Sequence, residues 1–274
     1  MARGYKVWVV GLVGLVAVAG LIVVGAVVSQ PSANPQQASL SPGGSHVLGT
    51  TPDGRDLLLL CLTAMVRAVG ESLWATALTV LVGVLVGLAA GELAGGIFDR
   101  VQGVTAKLLD CLGPFLIAAC LASVAPRLNT WKLAVFLSLV AWPNVSTLVR
   151  SEVLAISGLG YVEAARAIGV SPFRLVVNHF LPAMLDRLAP LCFGLFGVFI
   201  ALYGALQYVG VGIATEQGLG FLLFDAQSFI RGAPWYWMSC FGAFVVLLLL
   251  AAGAAHLAKR LTSAERSYGC NWEE

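Results

Sequence analysis

The sequence contains few charged residues. Asp, Glu, Lys and Arg together make up 11% of its 274 residues, whereas hydrophobic residues make up 59%. Soluble domains carry about 25% charged residues, and the apolar surface of this chain exceeds what one core can bury. An ordinary soluble domain is therefore excluded, and a membrane protein is expected.

Motifs for covalent and metal chemistry are also lacking. The chain has no G-x-x-x-x-G-K-[ST] phosphate-binding loop, no nucleophile elbow and no zinc-protease signature. Its three histidines lie far apart, and its six cysteines form no C-x-x-C pair and fall mostly in apolar runs, where cysteine behaves as a small hydrophobe. We therefore expect no metal site, no cofactor bound by this chain and no enzymatic activity of its own.

Long apolar runs are what the sequence has instead. About six of them approach the roughly 20 residues that a helix needs to cross the hydrocarbon core of a bilayer. The predicted spans are Val7–Val28, Leu73–Ala90, Leu109–Ala125, Leu133–Val149, Leu188–Tyr208 and Met238–Leu257. The predicted fold class is an all-α membrane protein with about six transmembrane helices.

The distribution of Lys and Arg predicts the orientation of these spans. With the amino terminus inside, the inner segments hold eleven Lys and Arg residues and the outer segments hold five. Because positive residues accumulate on the cytoplasmic side, we expect both termini and the segment between the fourth and fifth spans to be cytoplasmic. The outer stretch Ser29–Val47 reads as a flexible or irregular linker, and the outer loop Gly210–Trp235 as a lid or partial re-entrant element.

Small residues and prolines mark two further features of the spans. Gly83, Gly87 and Gly91 recur every fourth residue, so they share one helix face on which another helix can approach closely. This face serves either static packing, the favoured interpretation, or a helix that slides during function. Pro114 and Pro143 lie inside predicted spans and are expected to kink them, either beside a translocation path or as simple packing irregularities.

The stretch from Tyr161 to Pro182 is a polar, helix-capable interruption in this apolar sequence. Its residues predict two short helices around a turn at Gly169, a shape that can dock into a partner. It resembles the EAA motif of ABC importer permeases, in which a cytoplasmic coupling helix fits a groove on the ATP-hydrolysing subunit. The matching positions are Glu163, Ala164, Ala165, Gly169, His179, Leu181 and Pro182.

The resemblance extends over most of the chain from His46 onward. The stretch from His46 to Leu58 resembles the extracytoplasmic entrance segment of dipeptide, oligopeptide and nickel importer permeases of the second-subunit type. The matching positions that we single out are His46, Gly49, Thr50, Gly54, Arg55 and Asp56. The outer stretch 212–220 departs from the usual pattern of these permeases, which leaves open which binding protein docks there.

The resemblance implies a type I permease fold in the bacterial inner membrane. It implies one transmembrane permease domain, residues 1–274, in which 1–70 hold the first span, linker and entrance segment and 71–274 hold the core with a coupling loop at 157–186. The implied partners are a second homologous permease, two ATPase subunits that use ATP and Mg²⁺, an extracytoplasmic solute-binding protein and membrane lipid, with no nucleic acid.

The implied function is ATP-driven import of short peptides, with nickel or a metal chelate as the alternative cargo. Two alternatives from other classes also stay open. A secondary transporter would favour buried charges and two matched halves within one chain, and neither is evident. A membrane scaffold that only recruits partners is the other.

Overall fold

The computed structural model describes residues 33–44, 46–113, 116–117, 119–120, 130–160, 162, 167, 169, 181–210 and 218–269. Within these described residues, a 3₁₀ turn at Pro35–Gln37 is followed by six helices. They are α1 (Leu57–Glu92), α2 (Ile97–Leu112), α3 (Thr130–Ser157), α4 (Leu181–Tyr208), α5 (Leu219–Gln227) and α6 (Pro234–Gly269). The described residues contain no β-strand, only isolated bridges, as the all-α prediction requires.

Four of the helices are long and apolar enough to cross a membrane. The four spans are Leu57–Glu92, Lys132–Ser157, Arg187–Tyr208 and Pro234–Arg260. They contain four of the predicted spans, Leu73–Ala90, Leu133–Val149, Leu188–Tyr208 and Met238–Leu257. The predicted span Val7–Val28 lies outside the described residues, as does most of the second half of Leu109–Ala125.

Helix α1 begins 16 residues before the predicted span that it contains. It also runs without a break across residues 70 and 71, where the sequence analysis divided the first part of the chain from the core. Its 36 residues correspond to a length of about 54 Å, well beyond the roughly 30 Å of a hydrocarbon core. The first turns of α1, residues 57–66, are mostly apolar as well, but the predicted span began only after the polar residues Arg67, Glu71 and Ser72.

Two hydrophobic clusters hold the helices together. The first joins α1, α3 and α4 through residues such as Val149, Leu137 and Phe199. The second joins the first half of α1 to α4, α5 and α6 through Leu57, Leu222 and Tyr236. Helix α1 contributes to both clusters and makes its most extensive contacts with α3, so it is the central helix of the described bundle.

The bundle has two ends with different contents. At one end, called the outer end, lie the start of α1, the short helix α5 and the start of α6. Cys61 of α1 and Cys240 of α6 meet there, with their Sγ atoms 4.0 Å apart in the second cluster. At the other end, called the coupling end, lie the start of α2, the last turns of α3 and the start of α4. The segment 158–180 connects α3 to α4 at this end.

Candidate functional sites at the two ends of the bundle

The outer segment, residues 46–56, caps the first helix of the bundle. One carboxylate oxygen of Asp56, Oδ1, accepts hydrogen bonds from the backbone N–H groups of Leu58 and Leu59, at 2.9 and 3.3 Å. The other, Oδ2, lies 2.7 Å from Nδ1 of His46. Aspartate at this position satisfies backbone donors that the helix itself leaves unpaired. His46 and Asp56, ten residues apart, therefore close the segment into a loop on top of α1.

The ionisation of Asp56 follows from this geometry. Partial burial opposes the charged form, but the hydrogen bond with His46 and the two backbone N–H groups together outweigh it, so the pKa of Asp56 lies below its ordinary value. The carboxylate is charged at neutral pH and serves as a cap.

The two glycines of the outer segment meet strict steric demands. Gly49 has φ +81°, and a Cβ there would lie 2.6 Å from the carbonyl oxygen of Leu40 and 2.9 Å from the Trp235 ring. Gly54 has φ +76°, and its Cβ would lie 1.8 Å from the carbonyl oxygen of Asn34. Both positions combine a left-handed backbone with the close approach of another chain segment, which only glycine tolerates.

Thr50 connects the outer segment to the stretch before it. Its hydroxyl donates to the carbonyl of Gln37 at 2.6 Å and accepts from the N–H of Leu40 at 2.8 Å. The N–H of Ser39 also donates to the carbonyl of Thr51, at 3.1 Å. The stretch 33–44 was predicted as part of a flexible or irregular linker. It is irregular, but these hydrogen bonds tie it to the outer segment.

Arg55 differs from the other matching positions of the outer segment. Its N–H and carbonyl pair with Thr51 Oγ1 and Thr51 N–H, at 3.0 and 2.9 Å. Its Nε is buried and has no hydrogen-bond partner among the described residues. The backbone of Arg55 thus closes the turn around Gly54, while its guanidinium group has no assigned partner at Nε.

The outer loop after α4 contains the helix α5, in the place where the sequence predicted a lid or partial re-entrant element. The N–H of Gly220 donates to Gln207 Oε1 at 3.3 Å, and a Cβ on Gly220 would lie 2.1 Å from the carbonyl oxygen of Gly204. The hydroxyl of Tyr236 donates to Asp225 at 2.9 Å. Helix α5 is therefore packed closely onto α4 and tied to α6.

The coupling end carries the segment that resembles the EAA motif. Gly169 has φ +84°, and no atom of the described residues lies within 4 Å of a Cβ built there. Leu181 and Pro182 form the first turn of α4, so the predicted loop 157–186 is helical from residue 181 onward. Glu163, Ala164, Ala165 and His179 lie outside the described residues.

The beginning of this segment is anchored in the core. Val162 is completely buried and belongs to the same cluster as Ile156, Met184 and Leu188. The N–H of Leu159 donates to the carbonyl of Ile156, and the N–H of Val162 donates to that of Leu159. The segment therefore leaves α3 through a hydrogen-bonded turn, and Val162 then packs into the cluster that joins α3 and α4.

Two ion pairs surround the last turns of α3, and the sequence analysis did not predict them. Arg150 donates to both carboxylate oxygens of Asp99, in the first turn of α2, with Nη2 2.9 Å from Oδ2. Arg187, in the second turn of α4, donates to the buried carboxylate of Glu152. The partners lie 51 and 35 residues apart in the chain, so only the fold brings them together.

Asp99 is a fixed negative charge at neutral pH. The hydrogen bonds from Arg150, followed by the one from the N–H of Gly95 at 3.1 Å, lower its pKa to about 2. The same carboxylate therefore closes the turn between α1 and α2 and holds α2 against α3.

The glycine face of α1 packs directly against α3. Built Cβ atoms on Gly83, Gly87 and Gly91 would lie 2.4, 2.7 and 2.6 Å from the Cβ atoms of three valines. These valines are Val145, Val149 and Val153, which follow the same four-residue spacing. The constant register means that α1 and α3 run parallel, with small residues on one helix receiving branched residues of the other.

Of the two predicted span kinks, Pro143 lies inside α3 and Pro114 lies outside the described residues. Next to Pro143, the hydroxyl of Ser146 donates to the Pro143 carbonyl at 3.1 Å and accepts from Gln102 of α2 at 2.9 Å. Pro190 inside α4 is a further proline that the sequence analysis overlooked. The described residues contain no group of three or more His, Cys, Asp or Glu side chains that could hold a metal ion.

Comparison with known proteins connects these features to one family. The family described as "Binding-protein-dependent transport system inner membrane component" matches residues 83–268, which include the glycine face, both ion pairs and the segment 158–180. The chain belongs to this family. It is therefore a permease component of a binding-protein-dependent ABC import system, a multi-pass protein of the bacterial inner membrane.

Characterised relatives resemble the permease over most of its length. The oligopeptide transport system permease protein OppC of Lactococcus lactis subsp. cremoris is 25% identical over 75% of this chain and 69% of the relative. The dipeptide transport system permease protein DppC of Alkalihalophilus pseudofirmus is 27% identical over 81% of this chain and 72% of the relative.

Solved structures show the same fold at lower sequence similarity. A chain of the inward-facing MetNI methionine ABC transporter is 20% identical, with a TM-score of 0.53 over 73% of this permease and 96% of that chain. A chain of an amino acid ABC transporter determined with histidines is 14% identical, with a TM-score of 0.56 over 73% and 93%. The predicted ABC importer permease fold is thereby confirmed.

Proposed function

We propose that this permease carries short peptides across the inner membrane as one subunit of an ATP-driven importer. The observation that carries the proposal is the similarity to relatives named as oligopeptide and dipeptide permeases, which extends over 75% and 81% of the chain. The ordered outer segment, with its His46–Asp56 pair and two sterically constrained glycines, supports the proposal because this segment resembles those same permeases.

The permease would work with four kinds of partner. A second homologous permease would complete the path, two ATPase subunits would bind ATP and Mg²⁺, an extracytoplasmic binding protein would deliver the cargo, and lipid would surround the assembly. The chain itself would hold no cofactor and catalyse no reaction. Gly169 supports a docking role for the segment 158–180, because its left-handed backbone places a turn within the segment.

In the proposed mechanism, closure of the ATPase dimer displaces this segment. The displacement rocks the helices between inward-facing and outward-facing arrangements. Glu163, at the docking face, would provide charge complementarity to the ATPase subunit. Gly169, with its left-handed backbone, would form the turn that lets the segment enter the groove of the partner.

Growth of a deletion strain tests the cargo. If peptides are carried, a strain without this gene and auxotrophic for one amino acid fails to grow on a dipeptide that contains it, and the plasmid-borne gene restores growth. The activity of a nickel-dependent enzyme such as urease is measured in the same strain. Intact peptide use with lost nickel-enzyme activity would transfer the proposal to a metal chelate.

Uptake into membrane vesicles distinguishes the other two classes of protein. Uptake without ATP would favour a secondary transporter, and no uptake with the partner subunits bound would favour a scaffold.

Two substitutions test the docking role of the segment 158–180. Glu163→Lys and Gly169→Leu are expected to abolish uptake and to reduce co-purification of the ATPase subunit, while the permease still inserts. Gly44→Leu is the matched control. Gly44 also has a left-handed backbone, φ +55°, and no atom of the described residues lies within 4 Å of a Cβ built there. It belongs to the stretch 33–44 at the outer end, away from the segment 158–180.

The control separates the strain of a left-handed leucine, which both variants share, from the loss of docking. A larger loss of uptake in Gly169→Leu than in Gly44→Leu would therefore report a partner at position 169. Equal effects of the two leucines, together with normal uptake in Glu163→Lys, would remove the segment from the mechanism.

A further inference from the structure

The last turns of α3 are held from two opposite sides by ion pairs. Successive residues of an α-helix are rotated by about 100° about its axis. Arg150 and Glu152, two residues apart, therefore lie on nearly opposite sides of α3. Arg150 reaches Asp99 of α2, and Glu152 reaches Arg187 of α4. A third side of the same helix, at Val149 and Val153, packs against the glycine face of α1. The end of α3 is therefore attached to three different helices.

Burial makes these ion pairs more than surface contacts. The side chains of Asp99 and Glu152 are only 10% and 8% exposed, whereas those of Arg150 and Arg187 are 34% and 51% exposed. A buried carboxylate that loses its cation is left uncompensated in a poorly solvated site, which strongly disfavours the separated state. Each arginine is therefore retained by a carboxylate that the fold has already fixed in place.

The position of the pairs relates them to the segment 158–180. Glu152 lies five residues before the end of α3, and Arg187 lies six residues after the start of α4. Their ion pair therefore closes the base of the segment. The Asp99–Arg150 pair attaches α2 to the same place, and the Gly95 N–H ties the preceding turn to it.

We propose that Asp99, Arg150, Glu152 and Arg187 are positioning residues that join α2, α3 and α4 into one mechanical unit at the base of this segment. A partner that displaces the segment then moves all three helices together. Without the ion pairs, the displacement would be absorbed where α3 and α4 join the segment. The inference rests on the proposed function, because the displacing partner is the ATPase subunit.

The test measures helix movement in the complete importer, purified with its native partner subunits in lipid nanodiscs. Val104 of α2, inside the proposed unit, and Leu249 of α6, outside it, are 58% and 66% exposed. They are replaced by cysteine and spin-labelled in a background without the native cysteines. The distance between the labels is measured with and without ATP and vanadate. The variants are Glu152→Arg, Arg187→Glu and the charge swap that combines them.

In the unsubstituted importer, ATP and vanadate are expected to change the distance between the labels. Each single reversal is expected to abolish most of this change, while the ATPase subunit still co-purifies. The charge swap is expected to restore most of it. Arg100→Glu is the control, since Arg100 is exposed at the same end and forms no ion pair with the described residues.

The outcomes separate the inference from the proposed function. If ATP and vanadate leave the distance unchanged in the unsubstituted importer, the ATP-driven function itself is wrong. If the distance changes there and changes equally in the single reversals, the positioning role is wrong. A loss that Arg100→Glu shares, or that the charge swap does not reverse, would also overturn the positioning role, because it would reflect net charge or folding rather than the pairs.

Discussion

Replacing Gly87 by alanine tests the close approach of α1 and α3. The new Cβ would lie 2.7 Å from the carbonyl oxygen of Ser146 and 2.7 Å from Cβ of Val149. The optimal van der Waals separation of two carbon atoms is about 3.5–4.0 Å, so the two helices must separate by roughly 1 Å at this point. Overpacking of this kind costs about 1–3 kcal/mol, against a gain of about 0.8–1.0 kcal/mol from the better helix propensity of alanine.

Gly70→Ala is the matched control on the same helix. No atom lies within 4 Å of a Cβ built on Gly70, so this variant receives the gain in helix propensity without the packing cost. The difference between the two variants therefore isolates the packing term, about 2 kcal/mol in the middle of its range. For a chain of this size it corresponds to roughly 4–8 °C in apparent Tm.

The measurement is the apparent Tm of fluorescent fusions of the two variants in detergent, read by size-exclusion chromatography after heating. Equal melting temperatures would refute the close approach. Uptake, normalised to the amount of folded protein, then separates the two interpretations of the glycine face. Static packing predicts normal uptake per folded Gly87→Ala molecule, whereas a sliding helix predicts reduced uptake.

Three further predictions concern the outer and coupling ends. A cysteine at Ser39, which is exposed, should react with an impermeant reagent added outside intact spheroplasts, and failure to react there while reacting in inverted vesicles would reverse the predicted orientation. Gly54→Ala should expose the outer segment to proteolysis, because its Cβ would overlap the Asn34 carbonyl. In the control Gly95→Ala, the new Cβ meets no atom of the described residues within 4 Å, so this variant should cost only about 1–2 kcal/mol of backbone strain. Equal protease sensitivity of the two variants would contradict the prediction. The pKa of Asp56 is lowered from 3.8, so the stabilisation from its charged form should be fully present above that value and be lost as pH falls through the lower folded value. Asp56→Asn keeps a capping side chain but removes the charge, so the Tm advantage of the native protein over this variant should shrink below pH 4. A constant advantage would refute the contribution of the charged carboxylate.

Most of the helical architecture was predictable from hydropathy, whereas helix ends and side-chain pairs were not. Apolar runs located the central parts of α3, α4 and α6, because the lipid environment demands them. The start of α1 at Leu57 depends on the Asp56 cap, a signal that was present in the sequence as an acidic residue directly before an apolar run but was not used.

In the candidate sites, the matching residues were likewise visible in the sequence, whereas their contacts were not. The steric roles of Gly49 and Gly54 depend on Leu40, Trp235 and Asn34, which a linear motif does not reveal. The two ion pairs join residues 51 and 35 positions apart. Opposite charges on the predicted cytoplasmic side were visible in the sequence, but the choice of partners requires the packed positions of α2, α3 and α4.

The contact between the outer segment and the last helix imposes an order on biosynthesis. Gly49 packs against Trp235, which the ribosome adds almost 190 residues later. At synthesis rates of about 5–20 residues per second, this delay lasts roughly 10–40 s. During that time the first turns of α1 lack their neighbours from α6, including Tyr236 and Cys240. A nascent chain that stops before α6 therefore leaves an unfinished apolar surface at the outer end, so synthesis of the final helix completes the folding of the outer segment made near the start.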